Sequence, residues 1–220
     1  MLTLVTRNPN VRTIADFGPG DRIAVPSVKQ GPHSLVIGMA LDKALGPGSY
    51  AKLDSIQVQS GHADAATMVL NPSHEVNSHF STLPYVDTEL KSENPKLHAV
   101  LTSTDVFGGP TTIISAYARK QFVDENPIKT AAFAAAMDEA NGIIASHHAA
   151  AATSYIAITG EKFTVEDLAE KLTREGVLYS GTPTRTMLIA AQMARTGLIR
   201  RAPKDWREFH FPFLHDRAGS

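Results

Sequence analysis

The chain has 220 residues, no cysteine, and 21 Lys and Arg against 22 Asp and Glu, for a formal net charge of -1. That length can bury a substantial core without covalent staples, and the absence of thiols excludes cysteine nucleophiles, CxxC redox pairs, Cys-ligated zinc and iron–sulfur clusters. With 43% hydrophobic and 20% charged residues, the composition is that of a folded globular protein, and near-neutral charge argues against a broad basic nucleic-acid footprint.

The opening MLTLVTRNPNVR carries neither a long apolar core nor a small-residue cleavage pattern, so no export signal is legible in it. Asp21 to Ser27 places a short apolar run between Gly-Pro-Gly and a proline, which predicts a buried strand. Pro32 to Leu45 then reads as a helix stopped by Gly46 and Pro47. A second strand and helix are predicted at Leu53 to Gln59 and within SGHADAATMVL, ending before Asn71. VNSHF puts Val76, Ser78 and Phe80 on one strand face and Asn77 with His79 on the other. Strands at Leu97 to Leu101 and Thr112 to Ala118 follow, and the alternation predicts an α/β layer.

The later chain reads as mostly helical. Asn126 and Pro127 fit a helix start, and Ala132, Phe133, Ala136, Met137, Ala140, Ile143 and Ile144 recur as one apolar face. Thr164 with Asp167 forms a capping pattern before Val165, Leu168, Ala169 and Leu172, while Thr182 and Pro183 open a last helix that Gly197 stops. The basic run Arg200, Arg201, Lys204 and Arg207 reads as solvated surface.

Few motifs carry chemistry. There is no HExxH, no phosphate-binding loop ending in Lys-Ser or Lys-Thr, and no complete dinucleotide fingerprint. His62, Asp64, His74, Glu75 and His79 lie close in sequence, but their placement on separate elements argues against a shared metal. No nucleophile-turn pattern surrounds Ser34, so a triad with His62 and Asp64 has no support. The segment Lys29-Gln30-Gly31-Pro32-His33-Ser34 lies between a strand end and a helix start. It reads equally as an anion-binding helix N-terminus and as a structural cap.

In their shared order, DFGPGDRIAVPSVK, ALDKALG, HADA, EVNSHFSTLPY, VLTSTDVFGGP, FVDENP and the ending from Thr182 resemble the substrate-binding proteins of nitrate, sulfonate and taurine ABC transporters. The resemblance covers nearly the whole chain. It implies a type 2 periplasmic-binding-protein fold of two α/β lobes closing on a solute, a non-enzymatic role without cofactor or metal, and delivery to ABC permease subunits. It places ligand contacts at Lys29, Gly31, His33, Ser34, His62, Asp64, Asn77, His79, Phe80 and Gly109. The solute implied is small and anionic or polar, such as nitrate, taurine or an alkyl sulfonate.

The same resemblance implies an inserted lobe at 11–104, a hinge crossing at 105–111, and the remainder of a first lobe with C-terminal helices at 112–220. That first lobe is expected to lack its opening strands, which exposes pairing edges and invites self-association. A periplasmic or lipid-anchored extracytoplasmic location is implied by resemblance alone. The alternatives are a thiamine-pyrimidine precursor protein, binding or synthesising, and a remnant that no longer serves transport. Related chains carry Ser, an apolar residue and Gln where this one has Gly31, Pro32 and His33, and Pro in place of Ala63.

Overall fold

Short apolar runs separated by Gly- and Pro-rich turns pair here into one mixed sheet. In a computed structural model that describes residues 1–174 and 176–220, β1 (Thr3–Thr6), β2 (Ile23–Val25), β3 (Gln57–Gln59), β4 (Ser78–Ser81) and β5 (His98–Thr102) lie in the order β3-β2-β4-β1-β5. β2 runs parallel to β3 and β4, whereas β1 is antiparallel to both β4 and β5. The chain divides into two units, Met1–Gly109 with Leu188–Ala202 and Pro110–Met187 with Pro203–Ser220, and the sheet lies in the first. Residues 1–10 and 188–202, which lie outside the lobe expected at 11–104, thus belong to the sheet-bearing unit.

Helices α1 (Pro32–Leu45), α2 (His62–Leu70), α3 (Tyr85–Leu90) and α4 (Ser103–Phe107) flank this sheet. α1 has the bounds its sequence predicts. Gly31 caps it, Pro32 occupies the first turn where no N–H is needed, and Gly46 at φ 94° takes the positive-φ exit that suits glycine. The connections β2–α1–β3 and β3–α2–β4 step in opposite directions across the sheet. With right-handed crossovers, α1 and α2 therefore lie on opposite faces.

The registers sort the core accordingly. Phe80 pairs with Leu4 and both are fully enclosed, whereas Val5 and Ala24 pair with His79 on the other face. That second face packs Val5 with Val69, Val86 and Leu97, and Ala24 with Ala65 and Val76. β1 is not foreseen by the sequence pattern, because four residues buried throughout show no alternation. Arg7, just beyond it, donates to the carbonyls of Val76 at 2.8 Å and Val69 at 3.1 Å, and also to that of His74. The fork pins the end of α2 to the segment that enters β4.

α9 (Thr186–Arg195) brings the chain back to the first unit. Arg195 pairs with Asp42 of α1 and its guanidinium lies 5.7 Å from the Tyr50 ring centroid. Gly38 suits this close contact, since a Cβ there would stand tightly at 3.2 Å from Gln192 Nε2 and 3.3 Å from the Tyr50 carbonyl. α9 begins at Thr186 rather than Pro183. Arg185 adopts φ 52°, and the segment before it bonds elsewhere: Thr184 N–H to Thr112 Oγ1, and the Pro183 carbonyl to Ser220 N–H.

The second unit contains α5 (Lys120–Glu125), α6 (Pro127–Ser146), α7 (His148–Thr159) and α8 (Val165–Leu172), and no strand among the described residues. The strand expected at 112–118 is extended chain instead, with Ile114 90% and Tyr117 97% exposed. A strand exists only with a partner to complete its ladder, and this unit offers none among the described residues. The apolar face expected on α6 is likewise not buried: Phe133 is 55% and Met137 43% exposed. Ala and Ile surround that helix on most sides, so it has no single stripe to seat. Thr164 does cap α8, accepting from Asp167 N–H at 3.1 Å.

A candidate histidine crevice at the carboxyl ends of the strands

The parallel strands β2, β3 and β4 end on one side of the sheet, where β2 feeds α1 and β3 feeds α2. Neighbouring strands whose connections depart to opposite faces leave a crevice at their carboxyl ends, the usual place for a ligand in an open α/β sheet. His33 reaches it from the first turn of α1, His62 from the first residue of α2, and His79 from β4. The His33 and His62 ring centroids are 5.2 Å apart, and those of His62 and His79 are 5.1 Å apart. Histidines from three elements, 46 residues apart in sequence at the extremes, thus form one cluster.

The cluster is held by a hydrogen-bonded chain. His62 Nδ1 lies 2.9 Å from His79 Nε2, and His79 Nδ1 lies 2.6 Å from Glu89 Oε1 on α3. His79 and Glu89 are fully enclosed, while His62 is half-buried beneath Tyr85, whose ring stacks on it at 6.1 Å. His33 packs against the edge of Phe80 at 5.6 Å. It is 6% exposed, and neither of its ring nitrogens has a hydrogen-bond partner among the described residues.

Burial, reinforced by neighbouring His62 and His79, pushes the His33 pKa down to about 3, so the ring is neutral at physiological pH. His62 is also held below the ordinary histidine range. Burial is the main cause and His79 adds to it, against an opposing pull from Glu89. His33 and His62 therefore meet the crevice as neutral imidazoles, each with one ring nitrogen that donates and one that accepts.

The other expected contacts divide into groups. Ser34 Oγ accepts from Lys29 N–H at 3.1 Å and approaches Gln57 Oε1 at 2.5 Å, which ties the loop before α1 to β3. Lys29, at φ 67°, sends its ammonium 3.8 Å from Asp54 and stays 65% exposed. Gly31 lies close over Ser27, where a Cβ would stand 3.1 Å from the Ser27 carbonyl oxygen. Asp64 is exposed in the first turn of α2.

Asn77 lies at the opposite, amino end of the parallel strands. Its amide donates to Asp21 at 2.8 Å and accepts from Arg22 N–H at 3.1 Å. Gly109, at φ 142°, ends the first of the two segments that make up the sheet-bearing unit. Of the ten expected contacts, His33, His62, His79 and Phe80 are brought into mutual contact, with Gly31 and Ser34 beside His33 in α1 and its cap.

Tyr85 and Glu89 are residues that sequence reasoning missed. Their spacing of four along one helix places both on one face, Tyr85 over His62 and Glu89 against His79, a pattern that YVDTEL carries when it is helical. His74 takes a different role, its Nδ1 accepting from Val76 N–H at 3.0 Å. Among the described residues, no group of three or more His, Cys, Asp or Glu side chains is arranged to hold a metal ion. No helix among them is long and apolar enough to cross a membrane.

No family model and no curated protein matches the chain. Among solved structures, it superposes on the periplasmic aliphatic sulphonate binding protein SsuA from Escherichia coli with a TM-score of 0.64 at 16% identity, over 98% of this chain and 70% of that one. The likeness establishes the fold, an α/β architecture with a mixed sheet and flanking helices resembling the type II periplasmic-binding-protein fold.

Proposed function

We propose that this protein is an extracytoplasmic solute-binding component of an ABC importer, taking a small anionic or polar solute such as nitrate, taurine or an alkyl sulfonate and passing it to permease subunits. The fold likeness to a sulphonate-binding protein supports the class. One observation carries the location: His33 is enclosed at the start of α1 beside His62, with both ring nitrogens unpartnered among the described residues. Buried polar groups ordinarily have partners, so a side chain of this kind points to a group supplied from outside.

The solute lies across His33 and His62 under this reading, within reach of the free backbone N–H groups in the first turn of α1. Tyr85 and Phe80 furnish its apolar walls. Gly31 and Ser34 shape the approach, and Lys29, paired at long range and largely exposed, adds positive potential. Recognition is by hydrogen bonds and shape, with no covalent step.

Calorimetric titration with nitrate, taurine, methanesulfonate and a thiamine-pyrimidine precursor tests this. Saturable binding of one of the first three, weakened about tenfold or more in His62→Ala through loss of a buried hydrogen bond, is the expected result. Binding of the pyrimidine alone, or of none of them by a folded protein, would overturn the solute assignment.

A further inference from the structure

Glu89 and His79 are sealed from solvent, so they act on a solute only through His62. Each contact in the Glu89–His79–His62 chain requires one proton between its two heavy atoms, and with His62 kept neutral by its burial, two arrangements satisfy both contacts. In the first, the Glu89 carboxylate accepts from His79 Nδ1–H and His79 Nε2 accepts from His62 Nδ1–H. His62 Nε2 is then a bare lone pair, and the chain carries a net negative charge. In the second, one further proton is held: His79 Nε2–H donates to His62 Nδ1, the remaining proton lies between Glu89 and His79 Nδ1, and His62 carries N–H at Nε2. This chain is neutral overall.

Enclosure decides between them. His79 and Glu89 are both 0% exposed, and among the described residues Glu89 has no ion-pair partner except His79. Glu89 Oε2 has no hydrogen bond there either. An uncompensated buried charge is the costlier arrangement, which favours the neutral chain.

We infer that Glu89 and His79 are positioning residues that hold the His62 proton on Nε2, so that His62 offers the solute an N–H donor and favours an unprotonated oxygen at its own contact. This rests on and deepens the solute-binding reading of the same site. The solute's oxygen accepts from His62, whereas a solute presenting its own donor would meet N–H against N–H. That contact disfavours such a group, because two donors are left facing each other unpaired.

The test is nitrogen-15 NMR of histidine-labelled full-length protein at neutral pH without solute, together with Glu89→Gln. Wild type is expected to show His62 protonated at Nε2 only, with Nδ1 as the unprotonated nitrogen. In Glu89→Gln the amide satisfies His79 through either its oxygen or its nitrogen, so His62 is expected to lose its single tautomer and gain an Nδ1-protonated population. His62 protonated at Nδ1 in wild type would overturn the inference, as would an unchanged single tautomer in a folded variant. Should the variant not fold, the wild-type tautomer decides alone. Because no solute is present, failure of the protein to bind one would remove the functional reading and leave the tautomer result intact.

Discussion

Acidifying the protein from pH 6.5 towards pH 3 is expected to remove about 1.4 kcal/mol of stability per pH unit on account of His33. In the unfolded chain this histidine takes up a proton near its ordinary value of 6.5, while in the native state burial delays uptake until about 3. Across that window the unfolded state binds more protons, so stability is lost as pH falls; above it His33 contributes no pH dependence. His62, shifted in the same direction, adds to the loss. Urea unfolding of wild type and His33→Leu at a series of pH values separates this from general acid effects. The variant is expected to show the shallower slope, and equal slopes would show that His33 is not held neutral by burial.

Replacing Phe80 with alanine is expected to cost about 3–5 kcal/mol, the range for a fully enclosed aromatic. Phe80 is central to β4, pairs with Leu4, and gives the His33 ring an edge to pack on. Its loss opens a cavity beneath the crevice, so a folded remnant should also lose the strongly depressed His33 titration. Phe80→Leu, which retains most of the volume, is expected to cost markedly less. Chemical denaturation measures both, and a cost for Phe80→Ala below about 1.5 kcal/mol would contradict the packing described.

The parts of the fold legible in the sequence are those with local punctuation. α1 is bracketed by Gly31-Pro32 and Gly46, and α8 by Thr164 with Asp167, so both follow from chain-local chemistry. What depends on a distant partner was not legible. TIISAYA has strand composition yet finds no neighbouring strand in its unit among the described residues, and β1 shows its role only through pairing with residues more than seventy positions away.

The candidate site divides in the same way. His33 and His62 stand at helix starts after strands, which is a sequence-level signal. Asn77 and His79 differ by two residues, and nothing local tells which end of the sheet each side chain serves. The structure sends Asn77 to Asp21 and Arg22, and His79 to His62 and Glu89. Glu89 was hidden because a short helix with acidic residues reads as surface, and only the fold encloses it.

Solute bound across His33 and His62 must perturb both rings. Titrating methanesulfonate into histidine-labelled protein while following each ring by NMR tests it directly. The His33 and His62 resonances are expected to move together along one saturable curve, with His74, His98, His210 and His215 unmoved. Saturation that leaves His33 and His62 where they began, or no movement at any histidine, would contradict it.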